Sequence, residues 1–206
     1  VPELSLTGYE PELAASLVLT PEDERLRSLR DLARRHGTTM IAGAPIASGV
    51  RKPHLGALIF CPERTVVYAK QHLHSGEDRF FTPGKRACVM DVKGVRVGVA
   101  ICADTARASH PQEAAASGAA VYVAGVLIPE SGYAADAALL CSYAKEHRML
   151  VAMANHSAPS GGWIPVGKSA IWDERGARIA CALDAEPTLV IAEKVAAHWK
   201  GKVVRL

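Results

Sequence analysis

Short apolar runs alternating with stretches of helical period make this an α/β chain with mixed sheets. Two further observations carry that reading. Several runs are joined by turns of two or three residues, the signature of hairpins. Others are separated by Ala-rich helical segments such as the one from Tyr133 to His147. The chain has 206 residues, 49% of them apolar and 22% charged, which is enough for a substantial core. No repeat, low-complexity tract or linker interrupts it, so a single domain over 1–206 is expected.

The elements follow in order. Val1 to Tyr9 reads as the exit of a buried strand into a loop, although no strand stands before it. Thr20-Pro21-Glu22-Asp23-Glu24 predicts a helix start, with Thr20 as cap, proline at the first position and acids in the first turn. Leu26, Leu29, Leu32 and Ala33 keep the helical spacing, and Gly37 ends the helix behind Arg34, Arg35 and His36. A short apolar run from Thr38 to Pro45 follows. Gly56–Cys61 and Thr65–Lys70 form a strand pair around Pro62-Glu63-Arg64, and His72 to Gly84 is an ordered loop. Cys88–Val92 and Val95–Ile101 pair around Lys93-Gly94. A helix then starts near Ser109 and stops at Gly118, a strand runs from Ala119 to Val126, and the long helix leads to a strand from Leu150 to Ala154. Ser169–Trp172, Ala177–Leu183 and Leu189–Val195 complete the strands.

Composition narrows the classes of function. With 24 basic and 21 acidic side chains the formal charge is +3, and the cations are scattered, which gives no footprint for nucleic acid. No apolar run reaches the ~18 residues of a membrane span. The five cysteines are an odd number without a CxxC pair, which favours neither a disulfide framework nor a zinc knuckle. The opening Val1-Pro2-Glu3-Leu4 has no secretory pattern, and reduced thiols fit a cytoplasmic protein.

The sharpest chemical feature is Gly98-Val99-Ala100-Ile101-Cys102-Ala103-Asp104. A cysteine at the tip of a buried strand, before a turn to a helix, stands where open α/β sheets place their sites. Backbone N–H groups there can lower a thiol pKa or hold an oxyanion. A buried structural cysteine is the equally open alternative. Lys70 closes the apolar strand of Tyr68-Ala69-Lys70-Gln71-His72-Leu73, Glu3 follows Pro2, and Glu77 opens the run to Gly84. Each, taken alone, also reads as a solvated charge.

Taken together, Pro2–Tyr9, Tyr68–Leu73, Glu77–Gly84 and Gly98–Asp104 occur in an order that resembles the nitrilase superfamily of carbon–nitrogen hydrolases. Asn155 after a strand and Gly167-Lys168-Ser169-Ala170-Ile171-Trp172-Asp173 before Gly176 extend the likeness over nearly the whole chain. The resemblance implies a four-layer αββα sandwich of nitrilase type, apparently lacking the family's N-terminal strand-helix-strand, and a homo-oligomer built on a dimer. It also implies Cys102 as nucleophile, Glu3 as general base and acid, Lys70 as electrostatic stabiliser and Glu77 as the additional acid. The Ala103 N–H would help hold the oxyanion, and Tyr133, Asn155 and His156 could line the substrate pocket. No cofactor or metal is required. The implied reaction is cleavage of a small, non-peptide amide through a Cys thioester, with nitriles or N-carbamoyl compounds as alternative substrates.

Two departures stand out. Nothing precedes Val1, so a longer natural polypeptide, or strands supplied from elsewhere, is expected. Ala103 stands where the family often has an aromatic residue, and Ala106 to Glu113 makes a longer path to the helix, which together suggest a different acyl pocket. Three rivals remain: a zinc site using His72, His74, His110 and Asp104, a papain-type pair using Asn155-His156, and a non-catalytic scaffold of the same fold.

Overall fold

Asp23 decides where the first helix begins. Its carboxylate accepts from the Arg25 N–H (3.0 Å) and pairs with the Arg25 guanidinium (2.9 and 2.7 Å). The Arg30 guanidinium donates to the carbonyls of Pro21 and Asp23 (2.9 and 2.8 Å) and holds the preceding residues in a turn. The helix therefore opens with a 3-10 turn at Glu24–Leu26 and continues as α1, Arg27–His36, rather than starting at Thr20-Pro21 as the capping pattern predicts. Gly37, at φ 55°, adopts the left-handed cap and returns its N–H to the last turn, as expected.

The computed structural model describes residues 1–196 and 198–206. They fall into two compact units, Val1–Arg86 and Ala87–Leu206. In the first, β1 (Met40–Ile46), β2 (His54–Phe60) and β3 (Thr65–Ala69) form an antiparallel sheet in that order. The register matches Ala42 with Leu58, and Gly56 with Ala69. Alternate residues Ala42, Ala44 and Ile46 of β1 and Leu58 and Phe60 of β2 share a core with Leu26 and Ala33. Burial of this face against α1 satisfies both amphipathic patterns at once.

The second unit is built on six strands in the order of the chain: β4 (Cys88–Val92), β5 (Val95–Ile101), β6 (Val121–Val126), β7 (Leu150–Asn155), β8 (Ala170–Trp172) and β9 (Arg178–Cys181). β5, β6 and β7 run parallel, joined through α2 (Ser109–Ala116) and α3 (Glu130–His147), while the outer pairs are antiparallel hairpins. This is the mixed sheet that the alternation of elements predicts. Period-two burial sorts its faces. Tyr122, Ala124 and Val126 of β6 and Val151 and Met153 of β7 pack with Ala114, Leu140 and Ala144 of the helices. Val121, Leu150 and Ile171 occupy the other face, against Val190, Ala192 and Trp199. Those last residues belong to an antiparallel hairpin, β10 (Thr188–Val195) and β11 (His198–Arg205). β11 escapes the sequence reading because its lysines and glycine break any apolar alternation. Among the described residues, no helix is long and apolar enough to cross a membrane.

Candidate active site

Three of the expected charges meet in the first unit. Lys70 follows β3 directly. Its N–H donates to the Leu55 carbonyl and its own carbonyl accepts from the Gly84 N–H, both at 2.8 Å, so the backbone is pinned on both sides. Its ammonium donates to Glu3 Oε1 at 2.7 Å and to both oxygens of Glu77 at 2.9 Å. Lys70 is wholly buried, and Glu3 and Glu77 are 2% and 3% exposed. These are therefore not the solvated charges that their residue types alone suggest. Removed from water, such groups persist only when paired and hydrogen-bonded.

Each carboxylate has its own support. Glu77 begins a 3-10 turn, Glu77–Arg79. Its side chain accepts from the Tyr9 hydroxyl (2.8 Å) and from the His74 N–H (2.6 Å) in addition to Lys70. Glu3 is delivered by backbone geometry. Leu4 adopts a left-handed φ of 48°, its carbonyl receives the Thr7 and Gly8 N–H groups, and Leu6 donates to the Gly43 carbonyl at 3.0 Å. At Gly43 a β-carbon would strike the backbone N of Leu4, so only glycine lets this segment lie against β1. The role of Tyr9 is visible in the sequence only as the end of the Pro2–Tyr9 motif; nothing in that string shows that its hydroxyl reaches residue 77.

Cys102 belongs to the second unit. It stands immediately after β5, as its sequence context predicts, and opens a 3-10 turn, Cys102–Ala106. Its backbone φ is 42°, a left-handed conformation that costs a non-glycine residue about 1–3 kcal/mol and clusters at functional sites. The turn is held by side chains. The Asp104 carboxylate accepts from the Ile101 N–H (3.0 Å), and the Thr105 hydroxyl donates to the Cys102 carbonyl (2.8 Å). The thiol is half-buried, with Sγ 4.0 Å from the Leu127 carbonyl oxygen. Ala103 is the second residue of this turn. A sharp strand-to-helix turn with a strained residue at its apex presents that side chain at the sheet's end.

The remaining candidates are engaged in structure. The Tyr133 hydroxyl donates to the Lys168 carbonyl at 2.8 Å, and the Lys168 ammonium lies 5.4 Å from the centre of its ring. Burial pushes the Tyr133 phenol well above its ordinary pKa, so the hydroxyl is a donor at neutral pH. Asn155 accepts from the Ile128 N–H (2.8 Å) and donates to the carbonyls of Ile128 and Gly167 (3.0 and 2.8 Å). Its amide clamps the exit of β6 to the Gly167 segment instead of orienting the His156 ring. Among the described residues, no group of three or more His, Cys, Asp or Glu side chains is arranged to hold a metal ion, and no disulfide joins the five cysteines.

A family model described as "Carbon-nitrogen hydrolase" matches residues 1–199. The glutamine-dependent NAD(+) synthetases of Xylella fastidiosa strains Temecula1 and 9a5c are each 28% identical over 190 residues. Each match covers 85% of this chain but only 34% of theirs, so the chain spans about a third of the length of these relatives. Among solved structures, an amidase from Nesterenkonia sp. AN1, a cysteine-to-alanine mutant in complex with butyramide, superposes with a TM-score of 0.80 at 24% identity. It covers 100% of this chain and 76% of that one. A glutamate-to-glutamine mutant of the same amidase, carrying acrylamide added to its active-site cysteine, matches at 0.80 and 24%, covering 100% and 78%. The fold is thus the nitrilase-type α/β fold of these amidases. The chain belongs to the carbon–nitrogen hydrolase family.

Proposed function

We propose that this hydrolase cleaves the carbon–nitrogen bond of a small linear amide, with Cys102 as nucleophile, Glu3 as proton carrier and Lys70 as charge stabiliser. The observation that carries the reading is the buried Glu3–Lys70–Glu77 cluster inside a chain matched by the family. An ammonium and two carboxylates enclosed together have no folding advantage over apolar residues of similar volume, whereas the proposed cleavage uses a proton carrier and a cation at one site.

In the proposed cycle the Cys102 thiol gives its proton to Glu3 as sulfur bonds to the amide carbon. The resulting oxyanion is held by Lys70 and the Ala103 N–H. Glu3 then transfers the proton to the departing nitrogen, and the C–N bond breaks to release ammonia or amine and leave a thioester. Water deprotonated by Glu3 attacks the thioester, the C–S bond breaks, and the carboxylic acid leaves as the thiol is restored. Glu77, anchored by Tyr9 and the His74 N–H, keeps the ammonium in position between the two acids. Tyr133 and Asn155 are assigned to substrate binding through the backbone segments they brace. The family match across 1–199 supports treating both units as one hydrolase domain, and a homo-oligomer built on a dimer is part of the same reading.

Amides are favoured over nitriles and carbamoyl compounds because the similar solved structures are amidases, one with butyramide bound, and the similar synthetases use glutamine. The test is ammonia release across small ω-amides, carbamoyl amino acids and nitriles, with Cys102→Ala as control. Turnover on an amide, abolished in Cys102→Ala, is expected. Full turnover by that variant would overturn the scheme.

A further inference from the structure

Behind Cys102 lies a buried polar relay that the proposed cycle does not use. His110, in the first turn of α2, is 2% exposed, and its Nδ1 lies 2.8 Å from the Tyr122 hydroxyl on β6. Its Nε2 lies 3.9 Å from Asp104 Oδ2, the oxygen that receives the Ile101 N–H. Asp104 and Tyr122 have no solvent exposure, and the two rings of His110 and Tyr122 meet edge to face at 5.8 Å. From α3, the Tyr143 hydroxyl donates to the Thr105 carbonyl at 2.9 Å and closes the far side of the turn.

Donor and acceptor needs favour one tautomer of His110. Burial, together with the Asp104 charge, pushes the Tyr122 phenol far above its ordinary pKa, so it carries its proton at any working pH. Among the described residues its hydrogen-bond partner is the His110 ring. The hydroxyl is satisfied when it donates to that ring, and in this arrangement Nδ1 is the acceptor and the ring proton sits on Nε2, the nitrogen beside Asp104.

We infer that Tyr122 and His110 form a positioning device for Cys102, acting through Asp104. The inference rests on the reading of Cys102 as nucleophile. The Nε2–H dipole lies close to the carboxylate that ties the end of β5 to the left-handed turn. It restrains that carboxylate and offsets the field of its negative charge, which would otherwise oppose a thiolate two residues away. His110 touches no reacting atom; its effect is on the geometry and ionisation of the sulfur.

The test uses iodoacetamide as a probe of residue 102, with the alkylated peptide quantified by mass spectrometry at pH 7. It is run on the full chain and on His110→Gln, His110→Phe and Tyr122→Phe. Gln retains an N–H near Asp104, whereas Phe retains the ring's bulk without it. Positioning predicts His110→Gln within about threefold of the parent rate and His110→Phe slower by roughly 10- to 100-fold, the scale of a small misplacement of a reacting group. A packing role predicts the reverse order, and that order or equal rates would overturn the inference. Tyr122→Phe, which removes one oxygen, should also slow alkylation, and it carries the test alone if His110→Phe does not fold; an unchanged rate there would equally refute the device. Failure of the nucleophile assignment itself would show separately, as ammonia release by Cys102→Ala.

Discussion

At the scale of single residues, burial separates charges that share a residue type. Asp23 and Glu3 are both acids near a turn, yet one is capped at the surface and the other is enclosed with an ammonium. Replacing Lys70 by Met removes the cation from between Glu3 and Glu77 and leaves two buried carboxylates facing each other. Such a broken buried pair costs about 3–5 kcal/mol, and the loss is expected in urea unfolding at pH 7 together with loss of amide turnover. Cys102 gives the opposite kind of prediction. Its φ of 42° strains any side chain, so Cys102→Gly should be more stable than Cys102→Ala by about 1 kcal/mol, although the proposed cycle predicts no turnover in either. Equal midpoints of unfolding would show that the turn relaxes in the absence of sulfur.

At the scale of elements, the approach of α1 and the seat of Glu3 depend on local chemistry. The Arg25 guanidinium and N–H hold the Asp23 carboxyl down to about 2. A carboxyl whose folded pKa lies below its unfolded value, about 3.9, stabilises the fold above that value and loses the contribution as pH falls towards 2. Asp23→Asn should therefore lower stability at pH 6, and the difference should shrink as pH falls from about 4 through 2, as read from paired denaturant curves. The ion pair lies at the surface with the Arg25 side chain exposed, so solvent screening keeps the difference at pH 6 small. Gly43→Ala tests the crossing of the Glu3 segment over β1. The added methyl meets the Leu4 backbone, so loss of activity should exceed loss of stability, measured as turnover at a temperature where the variant remains folded.

At the scale of the whole molecule, the second face of the six-stranded sheet is closed by the β10–β11 hairpin through Val190, Ala192 and Trp199. Ending the chain after Glu186 should bare Val121, Leu150 and Ile171, with dye binding to exposed apolar surface and loss of solubility as the observable results. A truncated chain that stays monodisperse and binds no dye would show that the hairpin does not seal the sheet. The proposed oligomer is tested by light scattering of the intact chain, for which a mass at or above that of two copies is expected.

How much of this was legible in the chain follows from how far each signal reaches. β4, β5, the turn at Lys93-Gly94, the helix stop at Gly37 and the place of Cys102 after a strand are written in neighbouring residues, so periodicity and turn chemistry reveal them. The start of α1 was misread because Thr20-Pro21 is a sound local cap, and the Asp23–Arg25 and Arg30 bonds that override it are formed only in the folded turn. By itself the sequence determined the alternation of strands and helices, the order of the Glu, Lys and Cys motifs, and membership of the family. Only the tertiary structure decided that Lys70 is enclosed by Glu3 and Glu77, that Tyr9 reaches residue 77, and that His110 lies between Tyr122 and Asp104. Burial and hydrogen-bond partnership at long separation depend on which strands become neighbours. No local pattern encodes that, because the same short string is a surface charge in one packing and a buried ion pair in another.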